Sequence, residues 1–200
     1  FAQIAVSAGM SKTMGKAVEG YDLSPGELWL HSIAVSNTAE ALAKNKKIDD
    51  TTDVFIPALL HDMGKLILGE FVKEELHQIE SIAANGVPLV IAENMILGTD
   101  HAEIGAQILA HWSFPIDFVN AVRWHHTPEE IKNSNMQPEI VYLSNLACQS
   151  QGDGDSVGDQ FVMPSSKVLQ RMGIKLDQYE MIVDKAHSWQ NKLSDTLSFD

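Results

Sequence analysis

The apolar residues of this 200-residue chain recur with the period of an α-helix in every long segment. No run of β-branched and aromatic residues is bounded by the Asn-Gly or Asp-Gly pair that marks a tight hairpin. This pattern favours helices over strands, and amphipathic helices must bury their apolar faces against one another. The sequence therefore predicts an all-α fold, a multi-helix bundle.

The clearest helix start is the stretch SPGE at residues 24–27. Ser24 can cap the helix, Pro25 suits the first helical position, and Glu27 completes a capping box. His31 then lies on the apolar side of the predicted helix. Start and stop residues predict helices over residues 25–46, 52–68, 71–85, 88–97, 101–112, 115–126, 138–150, 164–173 and 177–198. Pro57 within the second of these implies a kink or an early first turn.

The tetrapeptide DHAE at residues 100–103 repeats the capping pattern. Asp100 is the predicted cap and Glu103 reaches back to it, so His101 occupies the first turn of its helix. Residues 149–160 are rich in glycine and acidic residues. They lack the ligand pattern and final glutamate of a calcium loop, and we expect a solvated acidic loop there.

Charge and composition exclude several classes of function. The net charge of −13, from 27 acidic and 14 basic residues, opposes binding to DNA or to an anionic membrane. The apolar runs are shorter than the roughly 18 residues of a membrane span, and no leader sequence begins the chain, so we expect a cytoplasmic protein. The single Cys148 excludes an internal disulfide, and we expect it to fill the core without a functional role.

The segment ALLHDMGKLIL, residues 58–68, places three polar groups within an apolar stretch. His61 and Lys65 share one helix face, and Asp62 follows His61 directly. Both members of the His-Asp pair can point to one centre only where the helix is bent or closely packed. A buried, ionised Asp62 needs a cation or several hydrogen-bond donors, and a divalent metal ion would supply the charge.

Other histidines could complete such a site, because imidazole and carboxylate groups are the usual ligands of zinc, iron and manganese. A single histidine on an apolar face is more often a hydrogen-bonded core residue, so only the combined pattern favours a metal. We assign no role to His77, His111 or His187. The candidate ligands are His31, His61, Asp62, His101, His125 and His126.

The polar pattern resembles the HD superfamily of metal-dependent phosphohydrolases, which are all-helical. Four stretches occur in the order and spacing of the HDOD domain, the HD-related output domain of bacterial signalling proteins. The resemblance predicts an HD-domain-like bundle over residues 21–200, with residues 1–20 as the end of a preceding helical subdomain. Because the chain begins at Phe1, we expect it to be a fragment. The four stretches are LWLHSIAVSNTAEALA, FIPALLHDMGKLIL, ILGTDHAEIGAQILAHWSFPIDFVNAVRWHHTPEE and YLSNLA.

The resemblance also implies roles for individual residues. The six candidate ligands match the metal-binding positions of the two-metal HD phosphodiesterases, with Asp62 and Lys65 as catalytic residues and Lys65 facing the phosphate. Asn145 stands where the family has its late metal-binding aspartate, and an uncharged amide is a weaker ligand. The site is thus expected to bind one or two divalent ions (iron, manganese, zinc or magnesium), or none.

Because of Asn145, the sequence favours a signal-transduction output domain of low or absent catalytic activity. The alternative is a metal-dependent phosphodiesterase acting on a nucleotide or cyclic dinucleotide. The Gly-Tyr-Pro segment of the branch that hydrolyses cyclic di-GMP is missing after His126. Expected partners are receiver, sensory or cyclic-dinucleotide signalling modules and a nucleotide ligand, with no DNA and no membrane.

Overall fold

A computed structural model describes residues 2–48, 50–131, 135–149 and 163–196, and these residues form α-helices without a β-strand. The prediction of an all-α fold is confirmed. Two short 3₁₀ turns occur at Glu19–Tyr21 and Pro128–Glu130. The helices are α1 Ala2–Met14, α2 Glu27–Asn45, α3 Thr52–Leu60, α4 Gly64–Ala83, α5 Leu89–Leu97, α6 His101–His111, α7 Ile116–Arg123, α8 Gln137–Gln149, α9 Ser166–Met172 and α10 Leu176–Thr196.

Helix α3 lies at the centre of the bundle and is buried from Val54 to Leu60. It contributes Leu59 and Leu60 to a core shared with α4, α5, α6 and α7. Its Val54 and Ala58 belong to a second core shared with α2, α8, α9 and α10. The carboxyl end of α3 therefore reaches the place where both groups of helices meet. None of the helices described is long and apolar enough to cross a membrane.

The predicted helix over residues 52–68 is wrong in one respect, because α3 ends at Leu60 and α4 begins at Gly64. Between them the backbone N–H of Met63 donates to the carbonyl of Leu60 at 3.1 Å, and that of Lys65 donates to the carbonyl of Asp62 at 3.0 Å. These bonds span three residues instead of four, and such a tightened turn ends a helix. The predicted break near residue 70 is absent, since α4 continues to Ala83.

The capping predictions hold in part. The side chain of Asp100 accepts a hydrogen bond from the backbone N–H of Glu103 at 2.9 Å, as predicted. Glu103 does not reach back, because its carboxylate pairs with Arg123. Helix α2 begins at Glu27, two residues later than predicted, although the Glu27 carboxylate does accept from the backbone N–H of Ser24 at 2.8 Å.

One further boundary and the position of Cys148 agree with the sequence. Gly98, with φ of 73°, ends α5 as predicted, and Cys148 is a buried core residue. The left-handed backbone at Gly98 is one that glycine adopts without steric cost. The predicted acidic loop lies outside the described residues, apart from Gln149 at the end of α8.

Candidate metal centre

The tightened turn between α3 and α4 directs His61 and Asp62 into the interior, where both side chains are at most 1% exposed. The Asp62 carboxylate lies at the centre of a ring of nitrogen atoms. Its Oδ2 accepts from Lys65 Nζ at 2.9 Å and lies 3.3 Å from His61 Nε2, and its Oδ1 lies 3.3 Å from His101 Nε2. The expectation that the His-Asp pair needs a bent helix agrees with this turn.

All eight residues singled out in the sequence lie in this cluster, although they come from five parts of the chain. His31 belongs to α2, His101 begins α6, His125 and His126 follow α7, and Asn145 belongs to α8. The cluster contains two groups of possible metal ligands, and within each group the ligand atoms all lie within 4.8 Å of one another. The first group is Asp62, His101, His125 and His126, and the second is His31, His61 and Asp62.

Backbone carbonyls determine which nitrogen of two buried histidines is free. His61 Nδ1 donates to the carbonyl of Ala58 at 2.8 Å, and His125 Nδ1 donates to the carbonyl of Val122 at 2.6 Å. A carbonyl oxygen can only accept, so Nδ1 carries the hydrogen in both rings. The Nε2 atom of each ring therefore faces the cluster.

These Nε2 atoms and Asp62 Oδ1 have no hydrogen-bond partner among the described residues. Burial, reinforced by the neighbouring His126, lowers the pKa of His125 well below its usual value, so the ring is neutral. His125 Nε2 then carries a lone pair and lies 3.8 Å from Asp62 Oδ1. Both atoms are acceptors, and neither carries a hydrogen to donate to the other. A cation satisfies both groups, so the residues present fit a metal ion.

Glu93 was missed by the sequence analysis, although it interrupts the apolar run LVIAENMIL. Its carboxylate is fully buried and accepts hydrogen bonds from the backbone N–H and from Nδ1 of His101, at 2.9 and 2.8 Å. Burial lowers the pKa of His101, but the charge of Glu93, together with hydrogen bonding to Asp62 and Glu93, outweighs burial and raises that pKa to about 9. The Tyr21 ring contacts the His101 ring edge-on, with 6.4 Å between the ring centroids, and the sequence did not predict this contact.

The remaining groups differ in charge. Burial opposes ionisation of Asp62, but His61 and Lys65 hold the pKa of the carboxyl well below its usual value. Burial, followed by the neighbouring His61, lowers the pKa of His31 to about 4. Burial and the charge of His101 lower the pKa of His126 well below its usual value. The centre thus offers one ionised carboxylate and three neutral imidazoles, whereas His101 must lose a proton to bind a metal.

Asn145 affects the second group directly. Its side-chain oxygen lies 3.0 Å from His31 Nε2, and because an amide oxygen only accepts, this nitrogen carries a hydrogen. His31 Nε2 cannot bind a metal while it donates this bond. The first group, which surrounds Asp62 Oδ1, is therefore the better metal site.

The all-α bundle encloses a buried histidine–aspartate cluster that could hold a metal ion. Residues 1–128 match the family model of the HDOD domain, and the chain belongs to the HDOD family.

A relative of this chain with a similar sequence is a much longer protein. This chain is 28% identical over 124 residues to an uncharacterized protein of Treponema pallidum (strain Nichols), a match over 59% of this chain and 24% of that protein. The chain thus spans about a quarter of that relative's length.

Two crystal structures share the fold. An HDOD domain protein of unknown function from Geobacter sulfurreducens aligns with a TM-score of 0.74 and 21% identity, over 98% of this chain and 70% of that chain. A proposed phosphohydrolase from Shewanella amazonensis SB2B aligns with a TM-score of 0.73 and 19% identity, over 98% of this chain and 71% of that chain. At these identities the likeness concerns the fold alone.

Proposed function

We propose that this chain is a bacterial signal-transduction output domain that binds one divalent metal ion in its core and has weak or no catalytic activity. The observation that carries the proposal is the set of unpaired acceptors at the centre of the cluster. His125 Nε2 and Asp62 Oδ1 are buried without a hydrogen-bond partner among the described residues, and they face each other. His101 Nε2 lies 3.3 Å from Oδ1 but leaves His125 Nε2 without a donor. A buried polar atom without a partner costs about 1–3 kcal/mol, and a bound cation would remove this cost.

The ligands we propose are Asp62 Oδ1 and the Nε2 atoms of His101, His125 and His126. His101 Nε2 and His126 Nε2 lie 2.9 Å apart, so they share one hydrogen in the metal-free protein. Metal binding would displace that hydrogen, and affinity should therefore rise with pH. Iron, manganese and zinc suit this donor set, and magnesium suits it less because it prefers oxygen.

Weak catalysis is inferred from Asn145 and its bond to His31. Because the amide adds no negative charge and holds His31 Nε2, the second group keeps His61 and Asp62, and Asp62 is shared with the first group and paired with Lys65. A domain with one ion has less charge available to neutralise a phosphate in the transition state. We therefore place the signalling role ahead of turnover.

The second candidate is a phosphohydrolase acting on a nucleotide or cyclic dinucleotide, and Lys65 favours it. Its side chain is 14% exposed while its Nζ contacts the fully buried Asp62, so it connects solvent to the cluster. A divalent ion bound here would activate water and polarise a phosphate oxygen. Lys65 would then hold the phosphate as a point charge, with its Nζ 5.7 Å from the centre of the Tyr21 ring.

The cytoplasmic location and the expected partners, receiver, sensory or cyclic-dinucleotide modules, are part of the same proposal. The HDOD match and the length of the Treponema pallidum relative support a role as one domain among several. The charge of −13 supports a partner other than DNA or an anionic membrane.

The test is the metal content of the chain, purified without a histidine tag and reconstituted with Mn²⁺, Fe²⁺ or Zn²⁺ in turn. We expect about one equivalent in the wild type by elemental analysis, much less in Asp62→Asn, and no loss in His77→Ala, which removes an exposed histidine outside the cluster. A folded wild-type chain that takes up no metal would refute the proposal.

Activity is measured on the same samples. With bis(4-nitrophenyl) phosphate as a general phosphodiester, we expect little turnover by the metal-loaded protein. Efficient turnover that is lost in Lys65→Met would favour the phosphohydrolase instead.

A further inference from the structure

Glu93 is the one acidic residue of helix α5, and its carboxylate is buried among the apolar side chains of the bundle. Burying an ionised carboxylate is costly unless several donors surround it. Within the described ranges, Glu93 accepts hydrogen bonds from the backbone N–H and Nδ1 of His101. Tyr21 also lies close to this carboxylate, and burial followed by the charge of Glu93 raises the pKa of its hydroxyl. The cost of burying this charge is therefore offset mainly at a single residue of the metal centre.

The geometry at His101 is closely defined. Glu93 Oε2 accepts from the backbone N–H of His101 at 2.9 Å and from its Nδ1 at 2.8 Å, and Oε1 lies 3.0 Å from the same Nδ1. His101 begins α6, so its backbone N–H has no partner within the helix. One carboxylate thus holds both the helix end and the ring. Asp100 caps a different donor, the backbone N–H of Glu103.

The orientation of the ring follows from these bonds. A carboxylate accepts only, so His101 Nδ1 carries a hydrogen and cannot bind a metal. The opposite atom, Nε2, lies 3.3 Å from Asp62 Oδ1 and 2.9 Å from His126 Nε2. The edge-on contact with the Tyr21 ring closes one side of the imidazole.

We infer that Glu93 is a positioning residue of the proposed metal centre, which fixes the His101 ring so that Nε2 faces Asp62 and His126. The inference rests on the proposed function for the identity of the ligand that His101 binds. A carboxylate behind a ligating imidazole also increases its basicity, and loss of such a partner lowers metal affinity by about 10- to 100-fold. If Glu93 only capped α6, its loss would change stability and leave metal affinity unaltered.

Glu93→Gln separates these roles, because glutamine keeps the shape and one acceptor oxygen for the helix end but removes the charge. The matched control is Glu139→Gln. Glu139 is also buried, at 1% exposure, but it lies on α8 and pairs with Arg171 away from the cluster. We expect Mn²⁺ affinity, measured by calorimetric titration, to fall about 10-fold or more in Glu93→Gln and to stay at the wild-type value in Glu139→Gln.

The unfolding midpoint of each metal-free variant is measured alongside. Unchanged affinity in Glu93→Gln would overturn the inference. An equal loss of affinity in both variants, in step with their unfolding midpoints, would also overturn it, because general loosening of the core would then explain the effect.

A metal-free measurement keeps this test separate from that of the proposed function. In proton NMR spectra, the His101 Nδ1–H held by the carboxylate should give a downfield resonance, which moves upfield or disappears in Glu93→Gln and persists in Glu139→Gln. If the wild type binds no metal, the proposed function fails, and a moved resonance still supports the positioning of the ring by Glu93. An unmoved resonance would overturn the inference whether or not the wild type binds metal.

Discussion

Replacing Gly64 with alanine tests whether the close approach of α4 to α6 holds the metal centre together. Gly64 begins α4 directly after the turn that carries Asp62, and a Cβ atom added there would lie 1.9 Å from the His101 carbonyl oxygen and 2.8 Å from the backbone nitrogen of Gly105. Contacts under 3.0 Å are essentially never seen for real Cβ atoms, so the two helices must separate by roughly 1 Å. The atoms involved belong to the backbone, which cannot turn aside as a side chain can.

The expected free-energy change has two opposing parts. Alanine is favoured over glycine inside a helix by about 1 kcal/mol. Overpacking of a close-packed core costs about 1–3 kcal/mol, and a clash with backbone atoms lies at the upper end of that range. The free energy of unfolding should therefore fall by about 2 kcal/mol, and metal affinity should fall too because His101 moves relative to Asp62.

The assay is urea unfolding followed by circular dichroism, with metal affinity measured on the same samples. Gly9→Ala is the matched control, because Gly9 lies in helix α1, is exposed, and an added Cβ would meet no atom within 4 Å. This control should gain about 0.5–1 kcal/mol. The reasoning would be refuted if Gly64→Ala were also stabilised and kept the wild-type metal affinity.

Three further predictions concern charge and reactivity. Asn145→Asp should raise metal affinity, and the stoichiometry measured by calorimetry should approach two ions per chain, because a carboxylate replaces the amide beside His31. Unchanged affinity and stoichiometry would contradict the inference that Asn145 weakens metal binding. The free energy of unfolding should fall with acidification from pH 6.5 toward pH 4. In the folded chain the pKa of His31 is about 4, and the pKa values of His125 and His126 also lie below their usual value, so the unfolded chain binds more protons in this range. Each group contributes up to about 1.4 kcal/mol per pH unit, and flat urea midpoints between pH 6.5 and 4.5 would count against buried neutral histidines. Burial raises the pKa of the Cys148 thiol to about 12, so it should not react with a disulfide reagent at pH 8 until the chain unfolds, and rapid native-state labelling would show otherwise.

Helical periodicity was sufficient to predict the fold class, because each helix must bury an apolar face whatever its partner is. It could not locate the turn at residues 61–63. The residues on either side of that turn are apolar and helix-compatible, and the break depends on hydrogen bonds across three residues and on the contact between Gly64 and His101. The contact between Gly64 and His101 joins residues 37 positions apart in the sequence, beyond the reach of a local pattern.

The candidate ligands came from residue type and from the family resemblance, and the structure places them around Asp62. Glu93 was overlooked because a single acidic residue in an apolar helix usually lies on the solvent side. The same reasoning that selected Asp62, a carboxylate within an apolar run, applies to Glu93 and could have found it. Tyr21 gave no such signal, since a tyrosine in a core is ordinary.

The position of Lys65 gives Asp62 two different neighbours, one at each oxygen. Oδ2 is held by the Lys65 ammonium at 2.9 Å, whereas Oδ1 is directed toward His101 and His125. A second ion bound near His61 would have to displace the lysine from the carboxylate and would repel it. Binding of this second ion near His61 and release of Lys65 toward solvent are thus thermodynamically coupled. An anion that attracts Lys65 outward would raise the affinity of the chain for the second ion, and the ion would in turn raise the affinity for the anion.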